Sequence, residues 1–183
     1  METQLYGGAI TIQKLPESFI DISQFRQVPN NQECFMHRNP QESTSGKYDE
    51  SLIFDLLESV TCSDIKEAMK LHLDDLFDEK REDYFVEEFE GGCFTYVILK
   101  EVGYKKVEVD NPKSIVSFFC LIRLEKVNTD VLIQYNVPLR NVRMKPIDFN
   151  GTDDEEGERL KRIYTSFRQI SMSLKVKDWS LFG

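Results

Sequence analysis

The stretch SIVSFFCLIRLEKVNTDVLIQYNV, residues 114–137, decides the fold. Its first half, Ser114 to Glu125, is dense in Val, Ile, Phe and Leu, and Phe118, Phe119, Leu121 and Ile122 follow one another almost without a break. Successive side chains of a strand point to opposite faces, so a strand apolar at every position is covered on both sides and lies centrally in its sheet. Asn128-Thr129 then punctuates the chain, and Asp130 to Val137 reads as the next strand. Two strands joined so tightly form an antiparallel hairpin.

Working outward, Phe94 to Val102 is a further strand, set off by Gly91-Gly92 and Asn111-Pro112. Ala9 to Leu15 is a short first strand closed by Pro16, and Glu33 to His37 alternates as a second. Between them Asp21 begins a short turn or helix that Pro29 stops, and 39–47 reads as a polar loop. Ser51 to Val60 stays open. Leu52, Ile53, Leu56, Leu57 and Val60 fit one helical face, and the same run fits a strand with Asp55 and Glu58 as its charges. Ser63 is the expected N-cap of a helix through Ile65, Ala68, Met69 and Leu73, ending between Asp74 and Phe77. Thr152 to Glu155 gives a capping box for a long amphipathic helix carrying Leu160, Ile163, Tyr164, Phe167, Ile170 and Leu174 on one face. The apolar tail Trp179 to Phe182 is expected to dock back on the sheet. The sum is an α+β fold: an antiparallel sheet of about six strands with helices over its faces, one domain over residues 1–183.

The 183 residues are enough for a two-layer core, since a chain of this size buries roughly 70% of its unfolded surface. No run approaches the roughly 20 apolar residues of a membrane span. The opening METQLYGGAITIQ has neither a basic region nor a long apolar core, so no export signal is expected. Cys34, Cys62, Cys93 and Cys120 stand far apart with no CxxC pair, which suits buried free thiols in a reducing compartment. The net charge of −9 is unevenly spread: residues 49–90 carry 15 acidic and 4 basic residues, while the remainder is slightly basic. Such a field repels nucleic acid and anionic membrane and steers basic partners inward.

No phosphate-binding glycine loop, dinucleotide fingerprint or nucleophile elbow occurs. His37, expected at the surface, and His72, expected partly buried in a helix, have no second His at metal-ligand spacing. Asp74-Asp75 and Asp78-Glu79 lack the spacing of a calcium loop. A binding protein without cofactor or metal, and not an enzyme, is the expectation, with a monomer as its state.

Three segments carry a resemblance. Residues 5–10 read LYGGAI, 21–35 read DISQFRQVPNNQECF, and 51–58 read SLIFDLLE, supported by NTDVL at 128–132 and the closing Leu181-Phe182. Together they resemble the Ran guanine nucleotide release factor family, also called the MOG family, over nearly the whole chain. The resemblance implies an α/β/α sandwich around an antiparallel sheet, as in PsbP-type proteins. It implies binding to the GTPase Ran, release of its guanine nucleotide in support of nuclear protein import, and a place in nucleus and cytoplasm. The family's acidic positions fall on Asp21, Glu33, Asp55 and Glu58, and its turn on Asn30, Asn31 and Gln32. Where the family usually has Val-Pro-Asp-Asn-Gln-Glu, this chain has Asn30, so one carboxylate of the implied contact is missing. Other roles fit the same residues: Asp21 suits the cap of its turn, Pro29 and Asn30 suit a turn, and Glu33 is placed to pair with Arg26. A scaffold that holds Ran or another basic protein without releasing nucleotide, and a small-molecule binder or enzyme with its site between sheet and helix, are the competing readings.

Overall fold

The computed structural model describes residues 1–38, 48–77, 81–100, 102 and 111–183; the expected loop at 39–47 and the pair Asp78-Glu79 lie outside them. In chain order the strands and helices are β1 (Glu2–Leu5), β2 (Ile10–Gln13), β3 (Phe19–Asp21), β4 (Gln32–His37), β5 (Glu50–Glu58), α1 (Ile65–Leu76), β6 (Arg81–Phe89), β7 (Gly92–Leu99), β8 (Ser114–Leu124), β9 (Thr129–Leu139), α2 (Glu155–Met172) and β10 (Lys175–Val176). Single 3-10 turns occupy Tyr6–Gly8, Ile22–Gln24, Glu125–Val127 and Trp179–Phe182. A seven-stranded antiparallel sheet runs β3-β4-β5-β9-β8-β7-β6, and a three-stranded one runs β1-β2-β10. The expected six strands are therefore one short in the main sheet. The expected first strand belongs instead to the small sheet.

β8 and β9 form the hairpin that the opening stretch requires, paired without a break from Ser114↔Leu139 to Leu124↔Thr129. Asn128 closes it at φ 47°, a left-handed conformation that asparagine tolerates better than most residues. β8 is covered on both faces. Val116, Phe118 and Cys120 join a cluster with Leu160, Tyr164, Phe167 and Ile170 of α2. Phe119 and Leu121 join a second cluster with Ala68, Met69 and Leu73 of α1. Each buried phenylalanine contributes about 1.5–3 kcal/mol by leaving water. The result is the α/β/α sandwich, with α1 on one face and α2 on the other. Ile10 and Ile12 of β2 extend the α2-side cluster into the small sheet.

Both helix caps lie downstream of their expected positions. Asp64, not Ser63, caps α1, its carboxylate accepting the N–H groups of Lys66 at 2.8 Å and Glu67 at 3.0 Å. Asp154, not Thr152, caps α2 through the N–H of Gly157 at 2.7 Å. A carboxylate is the stronger acceptor at a helix start, because the helix dipole adds to the hydrogen bond. Gly157 has a packing reason: a Cβ there would stand 2.1 Å from the Asp153 carboxyl carbon. Asp153 in turn pairs with Arg143 at 2.9 Å, with both side chains buried.

Three further expectations are corrected. His37 is half-buried, stacked on Phe19 with ring centroids 4.4 Å apart, and its Nδ1 lies 2.9 Å from the Tyr135 hydroxyl. His72 is buried rather than partly so. In the tail, Phe182 packs on the α2-side cluster, whereas Trp179 and Leu181 stay largely exposed. Cys34, Cys93 and Cys120 are buried free thiols, as expected, and Cys62 is half-buried.

Candidate functional site

Residues 51–58 are strand, and that settles how the predicted contact residues are arranged. β4 begins at Gln32, directly opposite Asp55, and β5 runs three residues beyond it to Glu58. Asn31 finishes the ladder from the loop: its carbonyl accepts the Leu56 N–H at 2.9 Å, and its Nδ2 donates to the Leu56 carbonyl at 3.3 Å. The N–H of Gln32 closes a turn onto the Pro29 carbonyl at 2.9 Å, with Asn30 exposed at its tip. Asp21 caps the preceding 3-10 turn through the Ser23 N–H at 2.8 Å. Asp21, Asn30, Asn31, Gln32, Glu33, Asp55 and Glu58 thus meet at one end of the β4–β5 pair.

They do not share one face. Phe54 and Leu56 belong to the α2-side cluster and Leu57 to the α1 side. By the pleat, Glu58 therefore faces the α2 side and Asp55 the α1 side. Glu33, opposite Phe54, also faces the α2 side. Asp55 is 7% exposed, while Glu58 is exposed at the rim. The buried member has its partner, since the Gln32 side chain donates a hydrogen bond to the Asp55 carboxylate.

Glu33 does not pair with Arg26. Its Oε1 accepts the backbone N–H of Tyr6 at 2.5 Å. Tyr6 sits at φ 51°, and its hydroxyl donates to the carbonyls of Phe54 at 2.9 Å and Asn31 at 3.2 Å. One residue of the small sheet's hairpin thereby ties together β4, β5 and the loop between turn and strand. Burial raises the Glu33 carboxyl above its ordinary value, the Tyr6 N–H opposes this, and Asp21 adds to the rise. Burial likewise raises Asp55, with Gln32 opposing. Burial and then Asp55 and Glu33 push the Tyr6 phenol far up. A carboxylate kept from water with too little compensation gains when a cation approaches.

Sequence reasoning passed over the support beneath this site. Asp130 of β9 is fully buried one step from Glu58, opposite Leu57. Its carboxylate takes Arg123 Nε and Nη2, both at 2.9 Å, His72 Nε2 at 2.8 Å and the Ser59 hydroxyl at 3.1 Å. Arg123 also donates to the carbonyls of Val60 at 3.3 Å and Cys62 at 2.5 Å. The network locks the segment between β5 and α1 onto the sheet. An aspartate inside an apolar strand, seven residues after an arginine in the paired strand, was its visible signal.

A cleft of about 340 Å³ lies between α2 and the other end of β5, where a small-molecule site was one reading. At one wall the Glu50 carboxylate takes Arg159, the Tyr135 hydroxyl at 2.7 Å and His37 Nδ1 at 3.2 Å, while Arg159 Nη1 is buried with no partner among the described residues. Among the described residues no group of three or more His, Cys, Asp or Glu is placed to hold a metal ion.

Residues 3–138 match the family model described as Ran-interacting Mog1 protein. The chain is 35% identical over 192 residues to the nuclear import protein MOG1 of Saccharomyces cerevisiae, covering all of this chain and 84% of that protein. It is 26% identical over 203 residues to the Ran guanine nucleotide release factor of Danio rerio, covering both chains fully. The crystal structure of the S. cerevisiae Ran-binding protein Mog1p superposes with a TM-score of 0.71 at 29% identity, over all of this chain and 98% of that one. Fold and sequence agree: the chain belongs to the Ran-interacting Mog1 family.

Proposed function

We propose that this protein binds the small GTPase Ran and promotes release of its bound guanine nucleotide in nuclear protein import, acting in the nucleus and the cytoplasm. Membership of a family whose relatives are named Ran guanine nucleotide release factor carries the reading. The gathering of Asp21, Glu33, Asp55 and Glu58 at one end of β4–β5 supports it. The protein acts as a regulator, and whatever chemistry follows is Ran's own.

A Ras-like GTPase holds its nucleotide phosphates with a lysine, backbone N–H groups and Mg²⁺. Carboxylates brought against those cations compete with phosphate for them, and the competition loosens nucleotide and metal together. By linkage, a partner that binds the loosened state more tightly lowers nucleotide affinity by the same factor; a coupling of about 3 kcal/mol changes it roughly 150-fold. Asp55, largely desolvated, acts on how long the complex lasts, and rim-exposed Glu58 acts on how fast it forms.

The test is release of a fluorescent guanine nucleotide from Ran with and without the protein, repeated with Asp55→Lys and Glu58→Lys. Acceleration by the wild type, reduced about tenfold or more by each reversal, is the expected outcome. Tight binding with unchanged release would leave a scaffold, and absence of binding would end the proposal.

A further inference from the structure

The turn capped by Asp21 leaves Phe25 standing 74% exposed. A lone exposed aromatic would need no explanation. Phe25, however, borders a groove of about 420 Å³ whose walls include Ile22, Cys34 and Met36, with Arg26 and Asp49 at its polar margins. Strand β4 joins this groove to Asp55. Met36, Cys34 and Gln32 alternate onto one face, and Gln32 stands opposite Asp55. Four residues of strand separate the two ends of that row, about 13 Å. Cys34 lies between them: burial raises its thiol, Arg26 opposes the rise, and Asp21 and Asp55 both add to it. Groove and Asp55 are thus neighbours on one face of the sheet, while Glu33 and Glu58 lie on the other.

Size makes the same point. A standard protein–protein interface covers about 800 Å² on each partner, a patch roughly 28 Å across. A patch centred on Asp55 reaches about 14 Å each way and includes the groove. The anatomy also fits, since interfaces place aromatic anchors in apolar pockets and ring them with charge.

We infer that the groove beside Phe25 belongs to the same docking surface as Asp55, and that it receives an apolar side chain of Ran lying within about 13 Å of the lysine or arginine that meets Asp55. The inference rests on the Ran-binding reading and adds an apolar anchor to it. Rim charge then sets the encounter, and Phe25 joins Asp55 in setting the lifetime of the complex.

Calorimetric titration of Ran with the wild type, Phe25→Ala, Phe25→Leu and Asp55→Lys, each at several salt concentrations, tests it. Phe25 is exposed, so its variants are expected to unfold at the wild-type temperature, which a thermal scan checks. Phe25→Ala should weaken binding at least tenfold with the wild-type salt dependence, Phe25→Leu should recover most of the loss, and Asp55→Lys should flatten the salt dependence. Wild-type affinity in Phe25→Ala, together with loss of binding in Asp55→Lys, overturns the groove and leaves the Ran reading standing. A wild type that does not bind Ran overturns both.

Discussion

Asp55 carries its charge against the pull of burial, and the sign of that conflict is testable in the protein alone. Its carboxyl titrates above its ordinary value because burial outweighs the hydrogen bond from Gln32. The folded state therefore holds a proton more tightly than the unfolded chain, and stability contributed by the protonated form falls as pH rises above about 4. Asp55→Asn keeps the shape without the charge. It should raise the melting temperature by about 1–3 °C at pH 7, with no gain near pH 3, while weakening Ran binding. A thermal scan across that pH range decides it, and a melting temperature lowered at pH 7 would count against the argument. The resemblance already pointed to Asp55 and Glu58, but their placement on opposite faces needed the strand. Tyr6 was not legible as a site residue. Its hold on Glu33 joins residues 27 apart through a backbone N–H, which leaves no mark in side-chain chemistry.

At the scale of elements, the buried Asp130 network fixes where β5 ends and α1 begins. Burial alone would raise the Asp130 carboxyl, but Arg123 and His72 overturn it and hold the group well below the usual carboxylate range. The stability it contributes is therefore present above about pH 4 and lost as pH falls below that. Asp130→Ala leaves Arg123 without its partner and should cost about 3–5 kcal/mol in urea-induced unfolding. A loss under about 1 kcal/mol would mean that water replaces the carboxylate. The β8–β9 hairpin was fully legible, because its apolar run has one geometric solution. β5 was ambiguous because ten residues cannot separate a period of 3.6 from one of 2; only pairing with β9 from Ser51↔Asn136 to Glu58↔Thr129 settles it. β6 escaped notice because a register shift between Phe85 and Glu87 breaks its alternation, and its charges read as surface. The caps were missed by one or two residues, where neighbouring side chains compete for the same N–H groups.

Across the whole molecule, the acidic segment 49–90 contributes β5, α1 and β6 and divides its charge between the two faces: Glu50 and Glu87 meet Arg159 and Arg168 of α2, and Glu58 faces that side too. Glu67, Asp74 and Asp75 are exposed on α1, and Asp83 and Glu88 on β6. Asp55 faces the α1 half, where these exposed carboxylates should steer a basic partner. The association rate with Ran should fall about tenfold or more between 20 and 300 mM salt, and Glu58→Lys should lower it while leaving dissociation nearly unchanged. Stopped-flow mixing separates the two, and an association rate indifferent to salt would exclude steering. The order of elements has a consequence of another kind. The main sheet is complete once β9 has been made, but α2, which covers one face of it, ends at Met172. Translating those about 30 residues takes on the order of 2–7 s at ~5–20 residues per second. For that interval Phe94, Phe118 and Tyr135 lack their lid, and the nascent chain presents a ready surface to a ribosome-associated chaperone.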